Sequence, residues 1–152
     1  MKICHYNKNQ AGVVVGNKVI NFGDALIKAG LARQSYTMLE IIDALANNPA
    51  AMQIARDAAN SGGGEDLISV KLLAPIQNPG SLWAAAANYG AHRAEMVERM
   101  GSANKQIINK DDLMAEFFLK TTSSIIGPGD TIVLPKISKL VDFECELCAV
   151  IG

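Results

Sequence analysis

An excess of charge of one sign is missing from this sequence. Fourteen lysines and arginines stand against fifteen aspartates and glutamates, a formal charge of -1. That balance gives no electrostatic footprint for nucleic acid or for an anionic membrane surface, so a small anionic substrate would need a local basic group instead. Long hydrophobic runs are missing too. The longest, residues 82–87, is far short of the ~20 residues that span a bilayer. The opening Met1-Lys2-Ile3-Cys4-His5-Tyr6-Asn7 is too polar for a secretory signal, and a cytoplasmic location is expected. Cysteine is scarce, with three residues in all, which argues against a disulfide framework and fits a reducing compartment. There is no internal repeat and no low-complexity tract. What is present, 49% hydrophobic and 19% charged residues in a chain of 152, describes a globular protein of one large domain or two small ones.

The first third reads as a small meander of strands at Lys2–Tyr6, 12–15 and 18–20, separated by the turn formers Asn7-Lys8-Asn9 and Gly16-Asn17. Thr37 with Glu40 forms a capping box, and Met38, Ile41, Ile42 and Leu45 follow at helical spacing, predicting a helix over 37–47. Asn48-Pro49 supplies a cap and a first-turn proline for a second helix ending near Asn60. Ser61-Gly62-Gly63-Gly64 reads as a linker, dividing a domain over 1–64 from one over 65–152. Beyond it the pattern predicts strands at 67–73, 82–87, 116–120, 124–126, 131–134 and 141–151, with Gly127-Pro128-Gly129-Asp130 turning a hairpin. A helix at 92–100 and a polar loop at 102–112 interrupt these strands with the composition of an active-site lid.

The last predicted strand carries chemistry. Val141-Asp142-Phe143-Glu144-Cys145-Glu146-Leu147 runs into a wholly apolar stretch and reads as buried, which would set Asp142, Glu144 and Glu146 on one face at intervals of about 7 Å. Carboxylates near a core repel one another, and leaving one unpaired costs several kcal/mol, so a hard divalent cation is the natural companion for Glu144 and Glu146. Asp142 reads as a surface or supporting residue rather than a ligand. Cys145 and Cys148 face opposite sides of a continuous strand, which favours plain packing over a zinc knuckle or redox pair. His5 reads as structural or exposed.

Three sequence words in order, Asn88-Tyr89-Gly90-Ala91-His92-Arg93-Ala94-Glu95-Met96, Phe118-Leu119-Lys120-Thr121-Thr122-Ser123-Ser124-Ile125-Ile126-Gly127-Pro128-Gly129-Asp130 and the acidic segment just described, resemble the fumarylacetoacetate hydrolase family. The likeness is strong over about residues 68–152 and looser before. It implies an α+β chain, with a small α+β N-terminal domain before a mainly β catalytic domain of β-roll type. It also implies a divalent cation, Mg2+ or Mn2+, on Glu144, Glu146 and an aspartate further along. Because that third ligand would lie beyond Gly152, the 152 residues are expected to be a piece of a longer enzyme, or to be completed by another chain.

The resemblance further implies a catalytic dyad of His92 and Glu95, with Lys120 holding anionic oxygens. Asn88, Tyr89, Ser123 and Ser124 would contact substrate. Three residues apart on one helix, Glu95 can orient His92 to act as general base towards water. The implied activity is cleavage of a carbon–carbon bond in a small diketo acid of fumarylacetoacetate or acylpyruvate type. The alternatives are an oxaloacetate-type decarboxylase, a hydroxymuconate isomerase, or a non-catalytic binding module. A homodimer is the implied assembly, with neither nucleic acid nor membrane as partner.

Overall fold

The computed structural model describes residues 1–100 and 116–151, with backbone alone at 96, 97, 99 and 100. The polar loop expected at 102–112 lies outside the described residues. The chain forms two compact units, residues 1–77 with 125–152, and residues 78–124.

The first unit is built on an antiparallel sheet of β1 (Lys2–Tyr6), β2 (Gln10–Val15), β3 (Lys18–Asn21) and β4 (Glu65–Asp66), in that spatial order. Asn7 and Asn9 adopt left-handed φ of 49° and 65°, which asparagine tolerates, and turn β1 into β2. Alternation divides the side chains between two faces. Ala11 and Val13 face α1 (Gly23–Lys28), α2 (Met38–Asn47) and α3 (Pro49–Asn60), and share a core with Phe22, Leu26, Ile41, Leu45, Ala51 and Ala55. Tyr6 and Val19 point the other way and pack with Val70. Gly12 sits between them because an added Cβ would lie 2.6 Å from Val19 Cγ1 and 2.9 Å from Tyr6 Cε1. Helix α2 starts with the capping box that its sequence predicts: Thr37 Oγ1 accepts from Glu40 N at 3.2 Å, and Glu40 Oε2 accepts from Thr37 N at 2.7 Å. Asn48 Oδ1 caps α3 by accepting from Ala50 N at 3.0 Å.

The predicted strand at 67–73 is not formed. After the glycine run, β4 pairs with β3, a 3₁₀ turn covers Leu67–Ser69, and the chain reaches the opposite edge, where Leu72 bridges Tyr6 and Asn7 N donates to Lys71 O at 2.7 Å. The segment therefore crosses the sheet face that carries Tyr6, burying Val70, and a chain crossing a sheet cannot pair along it. Gly64, read as part of a linker, is pressed against the sheet instead: with φ 86°, it leaves room for a Cβ only 2.4 Å from the Val19 carbonyl oxygen.

Within the same unit, Gly127-Pro128-Gly129-Asp130 forms a turn closed by Asp130 N donating to Gly127 O at 3.1 Å. Asp130 Oδ2 accepts from Gly127 N at 2.9 Å, and its other oxygen lies 3.6 Å from Lys71 Nζ. The turn is present, but the strands expected on either side of it, 124–126 and 131–134, are not.

The second unit holds an antiparallel ribbon of β5 (Leu82–Ala85) and β6 (Phe117–Lys120), and α4 (Gly90–Met100) between them in sequence. The fold class is α+β, as expected. Among the described residues no helix is long and apolar enough to cross a membrane.

Candidate active site

The ladder between β5 and β6 closes with Ala86 N donating to Glu116 O at 2.9 Å. Ala87 then takes a left-handed φ of 49°, and this sharp exit delivers Asn88 and Tyr89 to the start of α4. The first helical bond runs from Arg93 N to Tyr89 O at 3.0 Å. His92 and Glu95 follow three residues apart and share a helix face. His92 Nδ1 lies 4.0 Å from Glu95 Oε2, the outer reach of an ion pair and beyond a hydrogen bond, with both side chains about half exposed at 44% and 52%. A small rotation of either side chain would close that gap. An accessible imidazole with a carboxylate on its flank is chemically suited to accept a proton from water.

Lys120 is placed at the far end of the ribbon. It lies opposite Leu82, three residues or about 10 Å along β6 from the Ala85–Phe117 row that leads towards α4. Its Nζ sits 5.6 Å from the centroid of the Phe118 ring on the same strand face, within cation–π range. Ser123 and Ser124 form the 3₁₀ turn Thr122–Ser124 that follows, both exposed. The Ser124 hydroxyl donates to Thr121 O at 2.7 Å, so its proton is engaged locally while its lone pairs stay open. Asn88 and Tyr89 are exposed on the connection into α4.

Glu144 and Glu146 do not occupy the position expected of them. Residues 141–151 form no strand, and the whole segment is exposed, including Phe143 at 86% and Leu147 at 91%. The reason is a missing neighbour: alternation states which side chains share a face, but a strand needs an adjacent backbone to take its N–H and C=O groups, and no described strand supplies one. Cys145 and Cys148, expected to pack, are exposed free thiols. The carboxylates of Glu144 and Glu146 are the right donor type for a hard cation. Their number is insufficient, because among the described residues no group of three or more His, Cys, Asp or Glu could hold a metal ion. These residues therefore do not by themselves make a metal centre.

Sequence reasoning missed two features. Arg93 Nη1 donates to the Ala87 carbonyl at 3.1 Å, a contact that nothing in the spacing signals because it depends on the left-handed turn at Ala87. His5, left between structural and exposed, is 2% exposed, with its two ring nitrogens 3.1 Å from Ala74 O and 2.8 Å from Asn9 Oδ1.

Comparison with known proteins bears on these residues directly. The family profile described as fumarylacetoacetate (FAA) hydrolase C-terminal matches residues 81–152, the stretch that carries α4, β6 and the two glutamates. A maleylpyruvate hydrolase of Aquipseudomonas alcaligenes is 33% identical over 163 aligned residues, covering 100% of this chain and 53% of its own length. A mitochondrial oxaloacetate tautomerase of Rattus norvegicus is 37% identical over 83 residues, 55% of this chain and 23% of its own. Among solved structures, a maleylpyruvate hydrolase from Sphingobium sp. SYK-6 in complex with manganese(II) ion and pyruvate superposes with a TM-score of 0.59 at 25% identity, over 90% of this chain and 43% of that one. The chain thus spans about half the length, or less, of the relatives it matches. Its sequence words, its profile match and its fold agree: the chain belongs to the fumarylacetoacetate hydrolase family.

Proposed function

We propose that this protein is a metal-dependent hydrolase that cleaves a carbon–carbon bond in a small diketo acid of acylpyruvate type. The observation that carries this reading is the pairing of His92 with Glu95 at 4.0 Å at the exposed start of α4, in a chain alignable throughout with a maleylpyruvate hydrolase. In the reaction, water adds to the carbonyl further from the carboxylate. The bond between that carbon and the methylene breaks, and the products are a carboxylic acid and pyruvate, the latter after its enolate takes up a proton. His92 takes the proton from the attacking water, and Glu95 orients the imidazole. Lys120 offers an ammonium to a substrate oxygen, with Asn88, Tyr89, Ser123 and Ser124 as further polar contacts. Glu144 and Glu146 are the chain's own candidates for binding Mg2+ or Mn2+; the manganese of the Sphingobium enzyme supports a divalent ion. A domain boundary near residue 64, a homodimer and a cytoplasmic location belong to the same proposal.

A second reading, oxaloacetate tautomerisation, is favoured by the 37% identity to the Rattus enzyme over 83 residues. It needs no attacking water. Assaying the whole protein with Mn2+ against maleylpyruvate, other acylpyruvates and oxaloacetate separates the two. We expect acylpyruvate hydrolysis, reduced at least about 100-fold in His92→Ala. Turnover of oxaloacetate alone would replace the first reading with the second, and hydrolysis undiminished in His92→Ala would remove His92 from its role.

A further inference from the structure

We propose that Arg93 is a positioning residue, one that sets the direction of the His92–Glu95 face by tying the first turn of α4 to the end of β5. The inference rests on the role given to His92 above and deepens it. Helix α4 meets the ribbon through a short exit, and what lies at that exit is a strained residue, since Ala87 has a Cβ and a φ of 49°. Among the described residues, Ala86 N makes the last bond of the ladder, to Glu116 O beside β6. The Ala87 carbonyl is where Arg93 reaches back, six residues, with Nη1 at 3.1 Å.

Two bonds thus converge on the first turn from the same side chain's residue. The Arg93 amide bonds Tyr89 O at 3.0 Å and builds the helix, while its guanidinium bonds Ala87 O and fixes how that helix is turned. Successive helical residues are about 100° apart around the axis, so a helix held at Arg93 has the azimuth of His92 determined, and Glu95 with it. Arginine suits the task because it is always charged and its planar donors bond a carbonyl directionally. A charge-assisted bond to a carbonyl is also stronger than a neutral one.

The whole protein with Mn2+ tests this in the variants Arg93→Ala and Arg93→Lys. Misplacing a catalytic group by about 1 Å lowers turnover by about 100-fold, so Arg93→Ala is expected to lose about 10- to 100-fold in kcat with KM within about twofold of wild type. Arg93→Lys, which keeps a charged donor without the planar, directional fork, should recover part of that loss. A residue serving only stability would move neither parameter once the protein is folded. Unchanged kcat in folded Arg93→Ala, or a loss confined to KM, overturns the proposal. Amide hydrogen exchange gives a readout independent of turnover. In Arg93→Ala the amides of residues 93–95 should exchange at least about tenfold faster while those of β5 and β6 keep wild-type protection; equal protection throughout overturns the tie even if the protein proves to have a different substrate. A wild-type protein without turnover of any keto acid, with the exchange result obtained, would sink the proposed function and leave the tie in place.

Discussion

Tyr6 shows how one hydroxyl can govern the behaviour of the N-terminal sheet. The side chain is fully buried, and among the described residues its hydroxyl has no hydrogen-bond partner. Asn21 lies near enough to oppose the effect slightly, but without a bond of ordinary geometry. Burial, helped by the negative charge of Glu65, pushes its ionisation from 10 up to about 12. The folded protein therefore holds a proton that the unfolded chain releases, so this contribution to stability is complete below pH 10 and declines as the pH rises towards 12. The full span is about 2–3 kcal/mol. Tyr6→Phe should flatten the fall in stability across that window and leave stability at neutral pH unchanged or higher, since an unbonded buried hydroxyl is removed. Urea titrations at neutral pH and across the alkaline range measure both; an equally steep alkaline fall in the variant would show that other groups are responsible. His5 is the opposite case, a buried polar side chain whose ring is held between Ala74 O and Asn9 Oδ1, with the Asn9 amide nitrogen in turn donating to Tyr36 O at 2.9 Å. Its burial was not legible from sequence, because the acceptor at Ala74 is 69 residues away.

At the scale of elements, what could be read directly was whatever a few neighbouring residues decide between themselves. Helix α2 is an instance. Its limits follow from Thr37, Glu40 and the apolar spacing behind them, and the observed helix starts at Met38 with both reciprocal bonds formed. Thr37→Ala removes the acceptor for Glu40 N and should cost about 1 kcal/mol in equilibrium unfolding, with little change elsewhere. An unaltered unfolding midpoint would mean that solvent satisfies the amide equally well. The hairpin turn at Gly16-Asn17 and the helix at the Asn48-Pro49 start are of the same local kind. Of the strands expected past residue 64, those at 82–87 and 116–120 form as β5 and β6, whereas those at 67–73, 124–126, 131–134 and 141–151 do not. Residues 67–73 have the right composition, but their route carries them across a sheet face rather than along an edge, and α1 arises where Phe22 and Leu26 meet the core rather than from a distinctive cap. Propensity alone did not separate these outcomes, because it describes a half-buried surface without saying which surface is near.

For the molecule as a whole, the largest disparity is between a well-covered N-terminal sheet and an uncovered C-terminal segment. Ile132, Val133, Ile137, Leu140, Phe143, Leu147 and Ile151 are all more than two thirds exposed. Apolar surface of that extent on a chain of 152 residues is a docking or aggregation surface. The 152-residue chain on its own should accordingly bind a fluorescent apolar-surface dye, and Phe143→Ser with Leu147→Ser should lower the signal by about half. A chain that leaves the dye dark would show that these side chains are covered in solution.

The order of the sequence words sufficed to place this chain in its family, and the caps and turns sufficed for two of its helices and both N-terminal hairpins. Those are properties of residues close in the chain, whose geometry follows from their own backbone preferences and hydrogen bonds. Folding in three dimensions settled the rest: that residues 65–73 close over Tyr6, that His5 is sealed beneath Ala74, that Arg93 turns back on Ala87, and that Glu144 and Glu146 lie on an exposed segment that forms no strand. Each of these depends on which distant backbone or side chain happens to lie alongside, and a pattern of alternation carries no record of its neighbour.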